Sequence, residues 1–182
     1  MITFDDVVIG YPGVTDIAVN GTSFVAPRGE LTAVVGPNGS GKSTLVRALL
    51  GRIALASGHI LLDGVLLTSL ARREVARRMT VVPQREDAVF PLSVREYVAL
   101  GRYAHADAWG LGDHGRDAAV SDALRATQAD TFAGRRTDEL SGGEWQVVRL
   151  ARALAQGGDA IVLDEPGTFL DIAHEMSQFE LL

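Results

Sequence analysis

A glycine-rich loop between an apolar run and a helix-like segment constrains the fold of this chain most strongly. Residues 36–44 read GPNGSGKST and match the pattern G-x-x-x-x-G-K-[ST] in full. The run ELTAVV over residues 30–35 precedes this loop and predicts a buried strand, and residues 42–51 predict a helix that ends at Gly51. A strand, a glycine-rich turn and a helix in this order predict a phosphate-binding loop over residues 36–44.

Each residue type in the phosphate-binding loop suits an anionic ligand. The three glycines let the backbone turn tightly and point its N–H groups inward. Lys42 is predicted to reach the β- and γ-phosphates, and the Ser43 hydroxyl is predicted to ligate Mg²⁺. A glycine-rich turn with an incidental lysine is the alternative, which the flanking strand and helix disfavour. The predicted nucleotide-binding residues of the loop are Gly36, Pro37, Asn38, Gly39, Ser40, Gly41, Lys42, Ser43 and Thr44.

Composition excludes several other classes of protein. The chain has 182 residues, of which 47% are hydrophobic and 22% charged, as is typical of a soluble globular domain. It contains no cysteine, which excludes disulfides and thiolate metal sites, and its net charge of −6 disfavours a general nucleic-acid binder. No apolar stretch approaches the length of a transmembrane helix. Lys42 is the single lysine beside 16 arginines, at a place where a flexible point charge can reach between phosphates.

A second candidate site follows a short apolar run late in the chain. Residues 160–165 read AIVLDE, which predicts a buried strand that ends in Asp164 and Glu165. Ligands of open α/β sheets bind at the carboxyl ends of the strands. Asp164 is therefore predicted to hold Mg²⁺, and Glu165 to orient and polarise an attacking water. A solvated turn without chemistry is the alternative.

Strand-like and helix-like segments alternate along the chain, which predicts an α/β fold with a mostly parallel sheet. From about residue 93 to residue 133 the pattern becomes helical, which predicts a helical subdomain inserted in the core over approximately residues 87–140. Further strands are predicted over 2–9, 16–26, 58–63 and 79–82, and further helices over 70–78, over 142–156 and from about 171.

The segment LSGGE over residues 140–144, called here the signature segment, directly precedes a predicted helix. In this order, the phosphate-binding loop, the signature segment and the acidic strand resemble the nucleotide-binding subunit of ATP-binding cassette (ABC) transporters, over essentially the whole chain. The resemblance implies a P-loop NTPase core with an N-terminal antiparallel β segment. It also implies that Ser141, Gly142 and Gly143 contact the γ-phosphate of a nucleotide bound by a second copy, in a head-to-tail dimer. For the LSGG letters alone, an ordinary helix N-cap is the alternative.

The resemblance implies roles for three further residues. Tyr11 would stack on adenine, with a packed loop tyrosine as the alternative. Gln84 would ligate Mg²⁺ and link the core to the helical subdomain, and Asp171 would belong to the loop that couples the two nucleotide sites. The catalytic set is then Glu165, Lys42 and Gln84. ATP and Mg²⁺ are the implied ligands, and the implied partners are a second ABC subunit and membrane permease subunits, at the cytoplasmic face of the cell membrane.

Two stretches are similar to a particular group within the family. VREYVALGRY over residues 94–103 and LDIAHE over residues 170–175 resemble the ATPases of importers for iron–siderophore complexes, haem and cobalamin. The longer segment over residues 83–103, which contains the first of these stretches, is expected to meet the membrane partner, with Phe90, Leu92 and Tyr97 either exposed there or part of the core. A non-transport ABC ATPase is an alternative, which the lack of sustained heptads disfavours. A nucleotide-binding module without turnover is another.

The sequence departs from the family pattern in three places. Trp145 and Val147 stand where arginines are often found, which predicts changed surface packing, and Gly167 stands where Thr or Ser is frequent. The strand that carries the switch histidine of the family is expected beyond Leu182. The chain is therefore predicted to be one ATP-binding domain, residues 1–182, that is incomplete at its C-terminus.

Overall fold

The computed structural model describes residues 1–11, 13, 16–84, 86, 91–106, 113 and 115–164. They fall into two compact units, Met1–Val75 and Ala76–Leu182, each described by itself. The strands are β1 (Ile2–Gly10), β2 (Ile17–Ala26), β3 (Ser57–Leu62), β4 (Val65–Leu66), β5 (Met79–Val82) and β6 (Ala160–Leu163). The helices are α1 (Lys42–Leu49), α2 (Arg72–Arg78), α3 (Val94–Ala99), α4 (Arg116–Ala126) and α5 (Gly142–Gln156). Short 3-10 turns cover Leu67–Ser69, Leu100–Ala104, Ala129–Phe132 and Thr137–Glu139.

The first unit contains an antiparallel sheet with the strand order β2-β1-β3-β4. Ile2 and Phe4 of β1 are buried, and so are Val7 and Ile9, whose positions have the opposite parity. The change of parity coincides with an irregular register after Phe4 and with Asp6 at φ 45°, which is the geometry of a β-bulge. The bulge keeps apolar side chains on the buried face along the whole strand. The antiparallel N-terminal segment expected from the sequence is confirmed.

The segment after β2 differs from its prediction. Residues 31–37 form no strand or helix, and Leu31 and Val35 are 98% and 87% exposed. A strand needs a neighbour that accepts and donates backbone hydrogen bonds, and no described strand pairs with this segment. The strand predicted over residues 30–35 is therefore wrong for this structure. An apolar run predicts burial only where a partner element covers it.

In the second unit, helices α3 and α4 pack against α5, and β5 pairs in parallel with β6. Fully buried side chains from the three helices form its core, among them Val94, Val98, Val120, Leu124 and Val148. The 3-10 turn Leu100–Ala104 packs directly against α5. The approach is so close that a Cβ on Gly101 would stand 2.4 Å from the carbonyl oxygen of Arg152. Both α3 and α4 fall within the helical subdomain proposed for residues 87–140, whose boundaries stay a prediction.

The residues proposed to face a membrane partner differ in their burial. Tyr97 is only 5% exposed and belongs to the core of the second unit, so the surface interpretation is wrong for this residue. Leu92 is partly buried against the same core, and Phe90 lies outside the described residues. None of the described helices has the length and apolar character needed to cross a membrane.

Candidate nucleotide-binding site

The phosphate-binding loop depends on glycine for its backbone shape. Gly39 and Gly41 have φ angles of 82° and 91°, a region that residues with a Cβ rarely adopt. A Cβ on Gly41 would stand 2.6 Å from the carbonyl oxygen of Ala18 and 2.8 Å from Cγ2 of Val19, both in β2. Gly41 therefore lets the loop approach β2 at the point where α1 begins. The positive end of the α1 dipole adds to an anion site there.

Lys42 turns back across the phosphate-binding loop. Its Nζ atom donates hydrogen bonds to the carbonyl oxygens of Gly36 and Pro37, at 2.8 and 2.9 Å. Residues 36–40 are exposed to solvent, so the ammonium group lies on an accessible face of the loop. Ser43 follows in the first turn of α1. The cation and the hydroxyl predicted to meet a nucleotide are thus presented together at the start of α1.

Tyr11 is fastened to α1 next to the same loop. Its hydroxyl oxygen lies 3.0 Å from Oγ1 of Thr44, and Nη1 of Arg47 donates to that oxygen at 3.2 Å. The hydrogen bond with Thr44 lowers the pKa of Tyr11, and Arg47 lowers it further. Within the first unit, the ring expected to stack on adenine is therefore held close to the loop expected to bind phosphates. The stacking itself stays a prediction.

A second group of predicted residues lies at one edge of the parallel pair of strands. Val82 pairs with Leu163, and the backbone N–H of Asp164 donates to the carbonyl oxygen of Val82 at 3.0 Å. Gln84 follows β5 and Asp164 follows β6, so both leave the carboxyl ends of neighbouring strands. This is the edge at which open α/β sheets bind ligands. The predicted residues Glu165 and Asp171 lie outside the described residues.

Hydrogen bonds connect residues on both sides of Gln84 to α5. We call the group that makes them, Glu86, Trp145, Arg149 and Arg152, the Glu86 clamp. Arg152 donates from both terminal nitrogens to the two carboxylate oxygens of Glu86, at 2.6 and 2.9 Å. The indole N–H of Trp145 donates to the backbone oxygen of Glu86 at 2.8 Å, and Arg149 donates to the backbone oxygen of Pro83. The clamp fixes the segment that carries Gln84 to α5, the helix that begins within the signature segment.

The ring of Tyr97 packs beside the clamp. It lies 4.7 Å from the Trp145 ring, and the guanidinium carbon of Arg152 stands 5.0 Å from its centre. Burial raises the pKa of Tyr97 well above its ordinary value, although the nearby Arg152 guanidinium acts in the opposite direction. Trp145 and Val147 are both partly buried against the core of the unit. The changed surface packing expected at these two positions stays a prediction, while both side chains contribute to the packing of the core.

The signature segment forms the capped amino end of α5. Ser141 is the N-cap: its Oγ accepts from the backbone N–H of Glu144 at 3.3 Å, while the Glu144 carboxylate accepts from the backbone N–H of Ser141 at 2.8 Å. Ser141, Gly142 and Gly143 are exposed. Arg135 donates to Glu144 at 2.7 Å. Hydrogen bonds from Ser141, and then from Arg135, lower the pKa of Glu144.

Comparison with known proteins decides the family. The model of the ABC transporter family matches residues 19–168. The chain belongs to the ABC transporter family. The resemblance drawn from the three motifs is thereby confirmed.

Two relatives illustrate where this ABC transporter domain lies within the family. It is 39% identical over 178 residues to the ferric enterobactin transport ATP-binding protein FepC of Escherichia coli (strain K12), covering 98% of this chain and 65% of that protein. It is 42% identical over 158 residues to the hemin import ATP-binding protein HmuV of Nocardia farcinica (strain IFM 10152), covering 87% of this chain and 54% of that protein. The chain thus spans less than two thirds of the length of these curated relatives.

Solved structures confirm the predicted fold class of the ABC transporter domain. The dimeric structure of MJ0796, a bacterial ABC transporter cassette, matches with a TM-score of 0.79 and 25% identity, covering 97% of this chain and 79% of that chain. The structure of a bacterial Atm1-family ABC exporter with ATP bound matches with a TM-score of 0.79 and 28% identity, covering 98% of this chain and 32% of that chain. Because a chain described as an exporter shares the fold, the fold alone does not assign a direction of transport.

The oxygen donors of the ABC transporter domain suit Mg²⁺. Across the part of the chain that the structure describes, no group of three or more His, Cys, Asp or Glu residues could hold a metal ion. The predicted ligands Ser43, Gln84 and Asp164 instead offer a hydroxyl, an amide oxygen and a carboxylate. Mg²⁺ prefers oxygen ligands and is usually held by few protein groups together with substrate phosphates. The donor chemistry fits an ion that arrives with a nucleotide.

Sequence reasoning missed the residues that brace these motifs. The Glu86 clamp joins positions 66 residues apart in the chain, and the pair of Arg135 and Glu144 joins positions nine residues apart. The one local signal was the spacing of Ser141 and Glu144, which is the pattern of a capping box. No sequence pattern singled out Glu86 or Arg135.

Proposed function

We propose that this chain is the ATP-binding and ATP-hydrolysing subunit of an ABC importer for substrates of the iron–siderophore, haem or cobalamin type. The observation that carries the proposal is the phosphate-binding loop, in which Gly41 packs against β2 and Lys42 presents its ammonium group at the start of α1. The relatives named for ferric enterobactin transport and hemin import support the substrate class. The substrate itself would bind elsewhere in the transporter.

In this proposal the first unit binds the nucleotide. The Tyr11 ring would stack on adenine, while its hydroxyl remains hydrogen-bonded to Thr44. Backbone N–H groups of residues 38–41 and the Lys42 ammonium would hold the phosphates. Ser43, Gln84 and Asp164 would hold Mg²⁺, whose charge would draw electron density from the phosphate oxygens. Glu165 would accept a proton from the attacking water, because it directly follows Asp164.

A second copy of the chain would complete each site. Ser141 is exposed at the amino end of α5, where its hydroxyl would donate to a γ-phosphate in place of the Glu144 carboxylate. The exposed amides of Gly142 and Gly143 would add donors at the positive end of α5. Closure of such a dimer on ATP, and its reopening after hydrolysis, would drive permease subunits in the membrane from their cytoplasmic side.

The test of this proposal is the substitution Lys42→Ala. Loss of charge-assisted hydrogen bonds of about 1.5–3 kcal/mol predicts a roughly 10- to 100-fold weaker affinity for a fluorescent ATP analogue with Mg²⁺. Arg52→Ala is the matched control, since it removes one exposed positive charge from the same unit. An unchanged affinity in Lys42→Ala would refute the assignment of the loop.

Catalysis is tested separately with Glu165→Gln. This variant is expected to bind the ATP analogue as the unmodified chain does, because the phosphate-binding loop is intact, and to lose phosphate release because the proton acceptor is gone. Release of phosphate at the unmodified rate would remove Glu165 from the mechanism. A chain that binds ATP but releases no phosphate before any substitution would favour the alternative, a nucleotide-binding module without turnover.

A further inference from the structure

The amino end of α5 carries a charge that opposes its proposed role. Glu144 lies in the first turn of α5, and its Oε2 accepts from the backbone N–H of Ser141, the residue proposed to meet a γ-phosphate. Two anions at the same helix end repel each other and share the same positive dipole end. A nucleotide approaching the signature segment would therefore meet a carboxylate as well as N–H donors.

Arg135 is fixed against this carboxylate. Its Nη1 donates to Oε1 of Glu144 and its Nη2 donates to the backbone oxygen of Glu139, each at 2.7 Å. The backbone of Arg135 is fixed as well, because its carbonyl oxygen accepts from Val94 N and its N–H donates to Phe132 O, each at 2.9 Å. The guanidinium is thus held by two hydrogen bonds, one of them to the carboxylate of Glu144, although the Arg135 side chain is 44% exposed.

We propose that Arg135 neutralises Glu144, so that the capped end of α5 can accept the γ-phosphate of a nucleotide bound by a second copy of this chain. The inference rests on the proposed function. Arg135 is a positioning residue in this scheme, since it touches Glu144 and not the nucleotide. Glu144 thus makes two contacts: one carboxylate oxygen caps the helix, and the other accepts a hydrogen bond from Arg135, which balances its charge.

The cap and the charge can be separated by mutation. A glutamine at position 144 can still complete the capping box with Ser141, yet it carries no charge. Arg135→Gln leaves the Glu144 charge unbalanced, and is expected to weaken Mg-ATP-dependent association of the chain about tenfold. Glu144→Gln is expected to associate at least as well as the unmodified chain. The double variant is expected to return to near the unmodified value, because neither charge is left alone.

Association is measured by sedimentation velocity with ATP and Mg²⁺, with every chain carrying Glu165→Gln so that turnover does not reverse it. Arg136→Gln is the matched control: it makes the same charge change one position along, where Arg136 pairs with the exposed Asp138. ATP-analogue affinity of the monomer and the melting temperature are followed in parallel and are expected to stay constant. Raising the salt concentration is expected to reduce the Arg135→Gln defect, since screening weakens the repulsion.

Each outcome bears on the inference. A double variant that associates as weakly as Arg135→Gln would show that the pair only supports local structure, and would overturn the inference. So would unchanged association in Arg135→Gln. A starting chain that binds the ATP analogue but never associates would overturn the inference while leaving the phosphate-binding loop assigned. A chain that binds no nucleotide would overturn the proposed function and this inference with it.

Discussion

Removal of the Glu86 carboxylate tests whether the clamp holds the second unit together. Arg152 would lose both of its hydrogen bonds to Glu86, and Arg149, only 3% exposed with its Nε 3.6 Å from Glu86 Oε2, would lose a nearby anion. Hydrogen bonds to charged groups contribute about 1.5–3 kcal/mol, and breaking a buried ion pair costs about 3–5 kcal/mol. Because the Glu86 and Arg152 side chains are each 22% exposed, water can hydrate the remaining charge, and the loss of stability is smaller than for a fully buried pair. We therefore expect Glu86→Ala to lower the free energy of unfolding by about 2–4 kcal/mol.

Urea unfolding followed by circular dichroism measures this effect. A double-mutant cycle of Glu86→Ala with Arg152→Leu isolates the pair, and its coupling energy is expected to be about 1–3 kcal/mol. Asp122→Ala is the control, because the bridge between Asp122 and Arg125 is about two-thirds exposed on both sides and should change stability by less than about 0.5 kcal/mol. If Glu86→Ala lowers the free energy of unfolding by no more than Asp122→Ala does, the clamp contributes no more stability than a surface ion pair.

Three further predictions concern other contacts. Tyr11→Phe keeps the ring but loses the hydroxyl link to α1, so we expect ATP-analogue affinity to fall about threefold, and about tenfold or more in Tyr11→Ala; equal losses would argue against stacking. Gly101→Ala would place a Cβ 2.4 Å from the Arg152 oxygen, and is expected to lower the melting temperature by about 2–10 °C, which a thermal scan measures. The pKa of Asp63 is held below its ordinary value by Arg28, and then by the terminal ammonium, so its stabilising contribution is present above pH 4 or so and is lost as the pH falls further. The difference in unfolding free energy between the unmodified chain and Asp63→Asn should therefore shrink in acid, and a constant difference would contradict this.

Local sequence signals were sufficient for most of the secondary structure. The strands predicted over 79–82 and 160–163 and the helix predicted over 142–156 match β5, β6 and α5 in extent. Their signals lie within each element: short apolar runs for the strands, and a capping pattern with an apolar stripe for the helix. The failure at residues 30–35 has the opposite cause, because pairing of a strand depends on a distant segment.

Within the candidate site as well, sequence reasoning found the features that are contiguous in the chain and missed those that depend on contacts between distant residues. The phosphate-binding loop and the signature segment are contiguous in sequence, so their residue types and spacing were enough to find them. The hydrogen bond between Tyr11 and Thr44 joins residues 33 positions apart, and the Glu86 clamp joins residues twice as distant. Such contacts arise when separate elements pack together, and one sequence carries no record of which side chains then meet.

The hydrogen bonds of Lys42 to the phosphate-binding loop compete with those it would make to a nucleotide. Its ammonium group donates to two backbone carbonyls and keeps one N–H, so a nucleotide that accepts more than one hydrogen bond from it must compete with the loop. The apparent affinity is then the intrinsic affinity multiplied by the fraction of chains in which Lys42 is released; a released fraction of about one tenth would weaken binding about tenfold. A triphosphate offers more charge to offset the two lost hydrogen bonds than a monophosphate does. We therefore expect the loop to bind ATP more tightly than AMP.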